Sequence, residues 1–346
     1  MNILIRLQEF FSPLGHYLSY ILAYFFETLF LIIFAALSII VAIYVFRKYM
    51  ARVQQRIGPN RVGKFGVFQL IADVFKLIGK ENILPKSRDD LPYKLAPIVV
   101  FMGLMLAFAI LPYGSFYYLG SFTITHSEVT IILLFAIISI MPIGELLAGI
   151  SSYNKYAILG SLRAVAKDVS FEVPMMLSVI AIVMMASART PSSLSLESIL
   201  SSEFLPYGIL EPIGLFVFFV SMIARASYSP FDMGESDSEL ITGSTTEYSG
   251  MRFGLFYVGM FGSIFLGSLI VATLYLGGPS GPLESSVGFI WLLIKAWILV
   301  IISFTIWLSM PRIRIDKFVN FGWKYLLPIA VINLILTGII TLGWGL

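Results

Sequence analysis

The sequence has 346 residues, of which 58% are hydrophobic and only 12% are charged, and its formal net charge is +3. Its mean hydropathy of +0.91 lies far above that of soluble globular domains and excludes that class. The chain has no cysteine, which excludes disulfide bonds and any iron–sulfur cluster or thiolate-bound metal ligated within it. The first 20 residues lack an apolar core followed by a small-residue cleavage site, so we expect them to belong to the mature protein.

Eight segments are apolar enough, and close enough to the length required, to cross the roughly 30 Å hydrocarbon core of a bilayer. They are residues 24–46, 95–113, 129–150, 169–188, 209–224, 253–276, 287–309 and 324–345. Without water to satisfy backbone groups, and without the short alternating strands of a barrel, these segments must be helices. The sequence therefore predicts an all-α integral membrane protein with eight transmembrane helices, in one domain that covers residues 1–346.

The charges between these segments are asymmetric. Alternate connections carry 20 of the 23 Lys and Arg residues, namely residues 47–94, 151–168, 225–252 and 310–324. The other connections between spans carry only Arg189. By the positive-inside rule, the basic connections face the cytoplasm, or the matrix or stroma of an organelle, and both termini face the opposite side.

The first basic connection, residues 47–94, contains a helical pattern of its own. After a turn at Gly58-Pro59-Asn60, apolar residues recur at helical spacing: Val67, Phe68, Leu70, Ile71, Val74, Phe75, Leu77 and Ile78. This pattern predicts an amphipathic helix that lies in the membrane interface or docks on a partner protein. A helix that rests on the lipid surface without further function is the alternative.

The connection at residues 225–252, which we refer to as the acidic loop, is rich in carboxylates. Only Arg225 and Arg252 balance its five carboxylates, which are Asp232, Glu235, Asp237, Glu239 and Glu247. Acidic residues contribute little to orientation, so topology does not account for them. Crowded carboxylates repel one another, which would raise some of their pKa values and suit proton handling. A solvated acidic loop is the alternative.

Among the charged residues within the predicted spans, Glu145, Glu172 and Lys295 stand out. Charges at such depths are costly and normally face a bundle interior or a water-filled path. We expect a function for Glu172 and Lys295, whereas Glu145 lies near enough to the end of its span to be hydrated. Satisfied structural pairs are the bland alternative. A free-standing solute carrier would also use such residues, but the chain shows no inverted repeat and has large docking loops.

Four long motifs in colinear order carry a resemblance that covers nearly the whole chain. They are GPNRVG with IADVFKLIGKENILP, NKYAILGSLRAVA with SFEVP, PFDMGESDSELITGSTTEYSGM, and PRIRIDKFVNFGWKYLLPIAVIN. The chain resembles the H subunit of respiratory complex I, the NADH:quinone oxidoreductase. It also resembles the counterparts of that protein in F420H2-dependent and ferredoxin-dependent complexes and, more distantly, in membrane-bound hydrogenases.

The resemblance implies a heel subunit of a membrane arm, with no redox centre, metal or iron–sulfur cluster of its own. Its loops would bind other membrane-arm subunits and the hydrophilic-arm subunits that carry the terminal iron–sulfur cluster. It would help to form the chamber of a lipid-soluble quinone and couple quinone reduction to proton translocation. The membrane would be a prokaryotic cytoplasmic, organellar inner or thylakoid membrane, and NADH, F420H2 and ferredoxin all remain open as the electron donor.

The resemblance also implies roles for residues that match its motifs. The quinone chamber would include Arg47, Arg56 and Phe68. Proton coupling would involve seven carboxylates: Asp73, Glu172, Asp232, Glu235, Asp237, Glu239 and Glu247. Glu81 also matches a family position.

Several positions depart from the family pattern. Glutamates are usual in the family where this chain has Phe46, Arg225 and Met260, and arginines are frequent where it has Tyr228 and Trp307. A structural anchoring component of a related redox complex, with a rerouted or lost proton path, is therefore the alternative function.

Two of the unusual charges lead to local expectations. We expect Arg225 to pair with a nearby carboxylate, for which Asp232, Glu235 and Glu172 are the candidates. Glu145 stands at a position that is usually uncharged in the family, so it is either a substitute carboxylate or a coincidence.

Overall fold

The computed structural model describes residues 16–116, 127–190, 194–202, 205–234 and 237–343, with short pieces at residues 5, 7–8, 120–121 and 125. Its helices from residue 16 onward are α1 (His16–Val53), α2 (Gln69–Gly79), α3 (Asp90–Ile110), α4 (Thr130–Ile138), α5 (Ile140–Ser151), α6 (Lys155–Ser187), α7 (Leu196–Ser201), α8 (Tyr207–Leu210), α9 (Pro212–Arg225), α10 (Asp237–Leu240), α11 (Gly250–Tyr275), α12 (Glu284–Ser309), α13 (Ile315–Phe321) and α14 (Leu327–Gly343). A π-helical turn joins the last two helices, and Ser115–Phe116 (β1) pairs with Gly120–Ser121 (β2) as a minimal antiparallel hairpin.

The predicted all-α membrane fold is confirmed. Within the described residues, seven helices or continuous helix pairs are long and apolar enough to cross a membrane. The eighth predicted span, residues 209–224, corresponds to the 14-residue helix α9. At 1.5 Å per residue this helix is about 21 Å long, shorter than the hydrocarbon core. The chain turns at Glu211 between α8 and α9, and this turn limits the length of the span.

The fourth span starts earlier than predicted. Its apolar stretch suggested residues 169–188, but α6 is helical from Lys155 to Ser187. Asn154 caps the helix, because its side-chain oxygen accepts a hydrogen bond of 2.9 Å from the backbone N–H of Tyr156. Charged residues in the first half of the helix hid this start from a hydropathy argument. Glu172 consequently lies about halfway along α6 and not within its first turn.

The third span is broken between α4 and α5 at Ser139. Pro142 lies in the first turn of α5 and has no backbone N–H, so it cannot donate the helical hydrogen bond to the carbonyl of Ile138. The break therefore exposes a backbone acceptor inside the bundle.

The basic connections share one end of the bundle, which we refer to as the basic end. Backbone hydrogen bonds join Asp89 N–H to the carbonyl of Ser151 at 2.9 Å, and Ile313 N–H to the carbonyl of Pro230 at 3.1 Å. The hydroxyl of Tyr93 donates to a backbone carbonyl of the acidic loop at 2.7 Å. The loops that topology predicts on one side thus contact one another directly.

The predicted amphipathic helix is present as α2, which packs against α1 and α11 at the basic end. A turn precedes it in which Gly66 has φ of 75°, and a Cβ there would lie 2.2 Å from the carbonyl oxygen of Pro59. Only glycine permits that contact. The helix buries Leu70, whereas Phe68 and Phe75 are 57% and 69% exposed. The chain alone therefore leaves one apolar face of α2 uncovered.

Candidate functional site

An ion pair joins α6 to α9 inside the bundle. Arg225 Nη1 lies 3.8 Å from Glu172 Oε1, and the two side chains are 12% and 18% exposed. The hydroxyl of Ser139, at the break between α4 and α5, contacts the same carboxylate oxygen and also lies 2.8 Å from the carbonyl of Phe135. Its single hydrogen can serve one acceptor at a time. The expected pairing of Arg225 with Glu172 is confirmed.

The guanidinium of Arg225 also satisfies the backbone at this break. Its Nη2 donates to the carbonyl oxygen of Ile138, the acceptor that Pro142 cannot reach. A buried carbonyl without a donor would be costly, so Arg225 has a structural reason to occupy this place. One side chain thus links α4, α6 and α9.

A second charged pair, which the sequence reasoning missed, lies next to the first. Lys167 and Asp168 are 0% and 4% exposed, and Lys167 Nζ lies 3.5 Å from Asp168 Oδ1. The ammonium also donates to Ser227 Oγ and to the carbonyl of Arg225. The sequence spacing could have revealed Asp168, because it lies four residues before Glu172 and therefore shares one face of a helix with it.

A polar cavity of about 30 Å³ adjoins these pairs. Glu145 from α5, Asp168 from α6 and Arg225 from α9 line it, together with four hydroxyl side chains: Ser227, Ser244, Thr245 and Ser263. Met260 lines it as well, so two positions at which the resemblance predicts glutamate face the same cavity. We refer to Glu145, Lys167, Asp168, Glu172 and Arg225 as the buried ionic cluster.

A second cavity of similar volume, about 30 Å³, also has Arg225 in its lining. Its lining is apolar apart from Arg225 and Ser263, and it includes Phe218 and Met222 of α9. Arg225 therefore lines both a polar cavity and an apolar one.

At the basic end, Arg47 of α1 and Asp73 of α2 form an ion pair, and their side chains are 31% and 29% exposed. Gln69 Nε2 donates to the other oxygen of Asp73 at 3.3 Å. This pair fixes the polar face of α2 against α1. Both residues were predicted from the resemblance, and the fold brings them together.

Other residues predicted around α2 are less tightly held. Arg56 is exposed and donates to Gln54 Oε1 at 2.8 Å. Phe68 precedes α2 and is exposed, and Glu81 is an exposed residue just after the helix.

The carboxylates of the acidic loop are spread apart where the structure describes them. Arg163 Nη1 donates to Glu239 Oε2 at 2.5 Å, and Asn154 Nδ2 donates to Glu247 Oε1 at 2.6 Å. Asp232 is partly buried. Glu235 and the side chain of Asp237 lie outside the described residues.

The pKa of Glu239, one of the carboxylates of this loop, is lowered and not raised. The hydrogen bond from Arg163 lowers the pKa of the Glu239 carboxyl below its usual value, and the positive charges of Arg163, Arg312 and Arg314 act in the same direction. Basic residues from α6 and from the connection at 310–314 thus supply positive charge that the loop itself lacks.

Lys295 is accounted for by backbone contacts at the end of the bundle opposite the basic end. Its ammonium donates to the carbonyls of Leu276, Gly278 and Ser280 at 2.6, 3.0 and 2.8 Å. These contacts hold the turn between α11 and α12. A structural role therefore explains this intramembrane charge, and we draw no coupling role for it.

Three of the positions that depart from the family pattern pack against one another. The rings of Phe46 and Trp307 stack with centroids 3.8 Å apart and planes 10° apart. Tyr228 lies 3.8 Å from Trp307, and both contact Phe261. Positions at which the resemblance predicts one acid and two bases thus form a common aromatic cluster.

Two more buried carboxylates escaped the sequence reasoning. Glu211, between α8 and α9, is 3% exposed, and its Oε1 accepts a hydrogen bond of 2.7 Å from Thr337 Oγ1. Glu27 of α1 is 1% exposed, and neither carboxylate oxygen accepts a hydrogen bond from the described residues. Within the described part of the chain, no group of three or more His, Asp or Glu residues could hold a metal ion.

Comparison with known proteins covers the chain from within α1 to within α14. The sequence model of a family described as NADH dehydrogenase matches residues 26–338. Similar proteins include the H subunits of the NADH-quinone oxidoreductases from two strains of Dehalococcoides mccartyi, 195 and CBDB1. Each is 40% identical over 306 residues, which are 88% of this chain and 83% of the relative. The matched range includes the whole buried ionic cluster and α2.

Proposed function

This chain belongs to the NADH dehydrogenase family, the family of complex I H subunits, and we propose that it forms part of the quinone chamber and couples quinone reduction to proton translocation. The family match and the apolar helices identify it as a membrane component of a complex I-type assembly. Its relatives are named as subunits of an NADH-quinone oxidoreductase, so we propose NADH as the donor to the assembly.

The proposed chamber wall is the uncovered face of α2. Its exposed rings and aliphatic side chains, such as Phe68, Ile71 and Phe75, suit a lipid-soluble quinone and the subunits that enclose it. Arg47 holds α2 in place through Asp73, and Arg56 lies at the turn that leads to the helix. Guanidinium donors near the mouth would orient the quinone oxygens.

A photoreactive quinone analogue tests the chamber in the purified complex. We expect its cross-links on this chain to fall within residues 47–78 and to be displaced by excess natural quinone. The opposite end of the bundle, around residues 276–283, provides the internal control. Labelling that is confined to other subunits, or to that control region, would contradict the assignment.

The buried ionic cluster is the observation that carries the proposed coupling. Reduction of a quinone to quinol consumes protons and changes the local charge, and buried carboxylates can take up that change as protonation. Glu172 has an adjustable donor in Ser139 and a fixed cation in Arg225. Asp73 lies nearer the chamber and would sense the change first.

The variant Glu172→Gln tests this coupling. Glutamine retains the size and can still accept a hydrogen bond from Ser139, but it cannot titrate. We expect the complex to assemble while quinone reduction and proton translocation fall together by about tenfold. Proton translocation at the wild-type level would remove Glu172 from the path.

The acidic loop and Glu81 are proposed to contact the hydrophilic arm. Of the loop carboxylates that the structure describes, Glu239 is half exposed and pairs with Arg163 of α6. We propose that this end faces the cytoplasm, or the matrix or stroma, because it carries most of the Lys and Arg residues.

One observation favours the alternative of an anchoring component with a rerouted or lost proton path. The aromatic cluster of Phe46, Tyr228 and Trp307 has no carboxylate or guanidinium where the resemblance predicts one acid and two bases. Redox-driven proton pumping by the purified complex separates the two functions.

A further inference from the structure

Two carboxylates from different helices face the polar cavity. Glu145 comes from α5 and Asp168 from α6. The Asp168 side chain is 4% exposed, and its Oδ1 accepts no hydrogen bond from any residue that the structure describes, although Lys167 Nζ lies 3.5 Å away. A cavity of about 30 Å³ has room for roughly two water molecules, so a proton could pass between the two carboxyl groups without moving a helix.

The charges around this cavity do not balance when every group is ionised. Glu145 interacts electrostatically with three charged groups, which are Asp168, Lys167 and Arg225. Asp168 interacts in the same way with Glu172. The buried ionic cluster thus contains three carboxylates and two cations. The cluster is neutral when one of the three carboxyl groups is protonated. Because an uncompensated charge is costly inside a membrane protein, we expect the cluster to hold that proton.

We propose that Glu145 and Asp168 share one exchangeable proton across the polar cavity and form a relay site on the path that leads from Glu172. This inference rests on the proposed coupling function. In the transfer step, a protonated Glu145 gives its proton through water to the Asp168 carboxylate, which becomes the acid, and Glu145 becomes the carboxylate. The reverse transfer restores the starting state, and no other reactant is consumed.

Lys167 and Arg225 are positioning residues in this relay. The ammonium of Lys167 is tied to Ser227 and to the carbonyl of Arg225, so it holds a fixed positive charge beside Asp168. Arg225 lines both the polar cavity and the apolar one, and its positive charge opposes direct passage of a proton between them.

The test compares Glu145→Gln with the paired variant Lys167→Gln/Asp168→Asn, which removes one charge of each sign and leaves the net charge of the buried ionic cluster unchanged. Each is made in the assembled complex. Protons translocated per electron pair are measured in vesicles, and quinone reduction is measured with an uncoupler present. The redox-induced infrared difference spectrum reports the carbonyl stretch of a protonated carboxyl group. Glu128→Gln, at an exposed site at the opposite end, is the control, and Glu145→Asp is the conservative rescue.

We expect both test variants to reduce quinone within about twofold of the wild-type rate, and to translocate at most about half as many protons per electron pair. They should lose a protonated-carboxyl band that Glu145→Asp and Glu128→Gln retain. Full proton stoichiometry and an unchanged band in either assembled test variant would overturn the relay site. If Glu172→Gln still abolishes translocation in that case, the proposed function stands and only the relay fails.

Discussion

At Arg225, one guanidinium satisfies two groups that its neighbours leave without a donor or a counter-charge. Pro142 deprives the carbonyl of Ile138 of its helical partner, and the ionised form of Glu172 needs a cation within the bundle. A glutamate at this position, which the family pattern suggests, would repel Glu172 and could not donate to Ile138. The charge reversal therefore belongs to a local arrangement and is not an isolated surface change.

Replacing Arg225 should consequently disturb assembly more than replacing an exposed arginine. Arg225→Met leaves a buried carboxylate unpaired and a carbonyl without a donor, which together cost about 3–5 kcal/mol. We expect a clear loss of assembled complex and a partial recovery in Arg225→Lys, which keeps the charge but has a single donor head. The yield of intact complex on a native gel measures the effect, and the exposed Arg61→Met is the control. A normal yield for Arg225→Met would contradict this account of Arg225.

Glu239 provides the opposite case, an ion pair at the surface. Its side chain is 54% exposed, and Arg163 lowers the pKa of its carboxyl. The pair therefore contributes stability above the unfolded pKa of the glutamate and loses it as the pH falls through the lower pKa of the folded state. We expect Glu239→Gln to lower the free energy of unfolding by less than about 1 kcal/mol at neutral pH.

In acid, below both pKa values, that difference should disappear. Thermal unfolding of the purified wild-type and Glu239→Gln complexes, at neutral pH and in acid, measures the difference in stability. A large destabilisation at neutral pH, or one that persists in acid, would show that Glu239 acts through some contact other than its pairing with Arg163.

At the scale of elements, the aromatic cluster joins side chains from two helices and a loop. Phe46 comes from α1, Tyr228 from the acidic loop and Trp307 from α12, and their rings are in direct contact. A charge introduced at one of them would have no partner among these rings. The three positions therefore form a single unit of packing.

We predict that Trp307→Arg alone reduces the amount of assembled complex, because it buries an unpaired cation beside Phe46 and Tyr228. The double variant Phe46→Glu/Trp307→Arg should recover part of that loss, since the two side chains stack directly. The yields of assembled complex for Phe46→Glu, Trp307→Arg and the double variant measure how strongly the two positions are coupled. Strictly additive losses would show that the positions do not act as a unit.

The apolar face of α2 supports a prediction about docking. Changing Val67, Phe68, Ile71 and Phe75 together to Ser removes exposed apolar area that a partner protein would cover. We expect release of the hydrophilic arm, measured by the subunits that copurify with this chain. The same four positions changed to Leu keep the face apolar and should keep the arm bound. An intact complex with the four serines would remove α2 from the docking surface.

The sequence predicted elements better than boundaries, for physical reasons. Long apolar runs specify membrane helices directly, and the helical spacing of apolar residues specified α2. The start of α6 was missed because Lys167 and Asp168 are charged and yet buried, and hydropathy treats a paired charge as exposed. The break at Ser139 needed the combination of Pro142 with a donor from a distant helix, which no local pattern contains.

At the scale of the whole molecule, the charges to which we assign a part in the function divide into two zones. The basic end carries the α2 surface, the acidic loop and the pair of Arg47 with Asp73. The interior carries the buried ionic cluster between α5, α6 and α9, where the sequence revealed Glu172 and Glu145 but not the pair that accompanies them. Membership in the family could be recognised from long motifs, whereas the position of the polar cavity depends on contacts between five helices and a loop.

The central claim is that this chain belongs to a complex that converts quinone reduction into proton translocation. The most direct test reconstitutes the purified complex in sealed vesicles with an internal pH indicator and starts quinone reduction with NADH. We predict a pH gradient across the vesicle membrane that an uncoupler abolishes and that Glu172→Gln fails to build. Quinone reduction at an undiminished rate without any gradient would contradict the claim and leave the chain as an anchoring component.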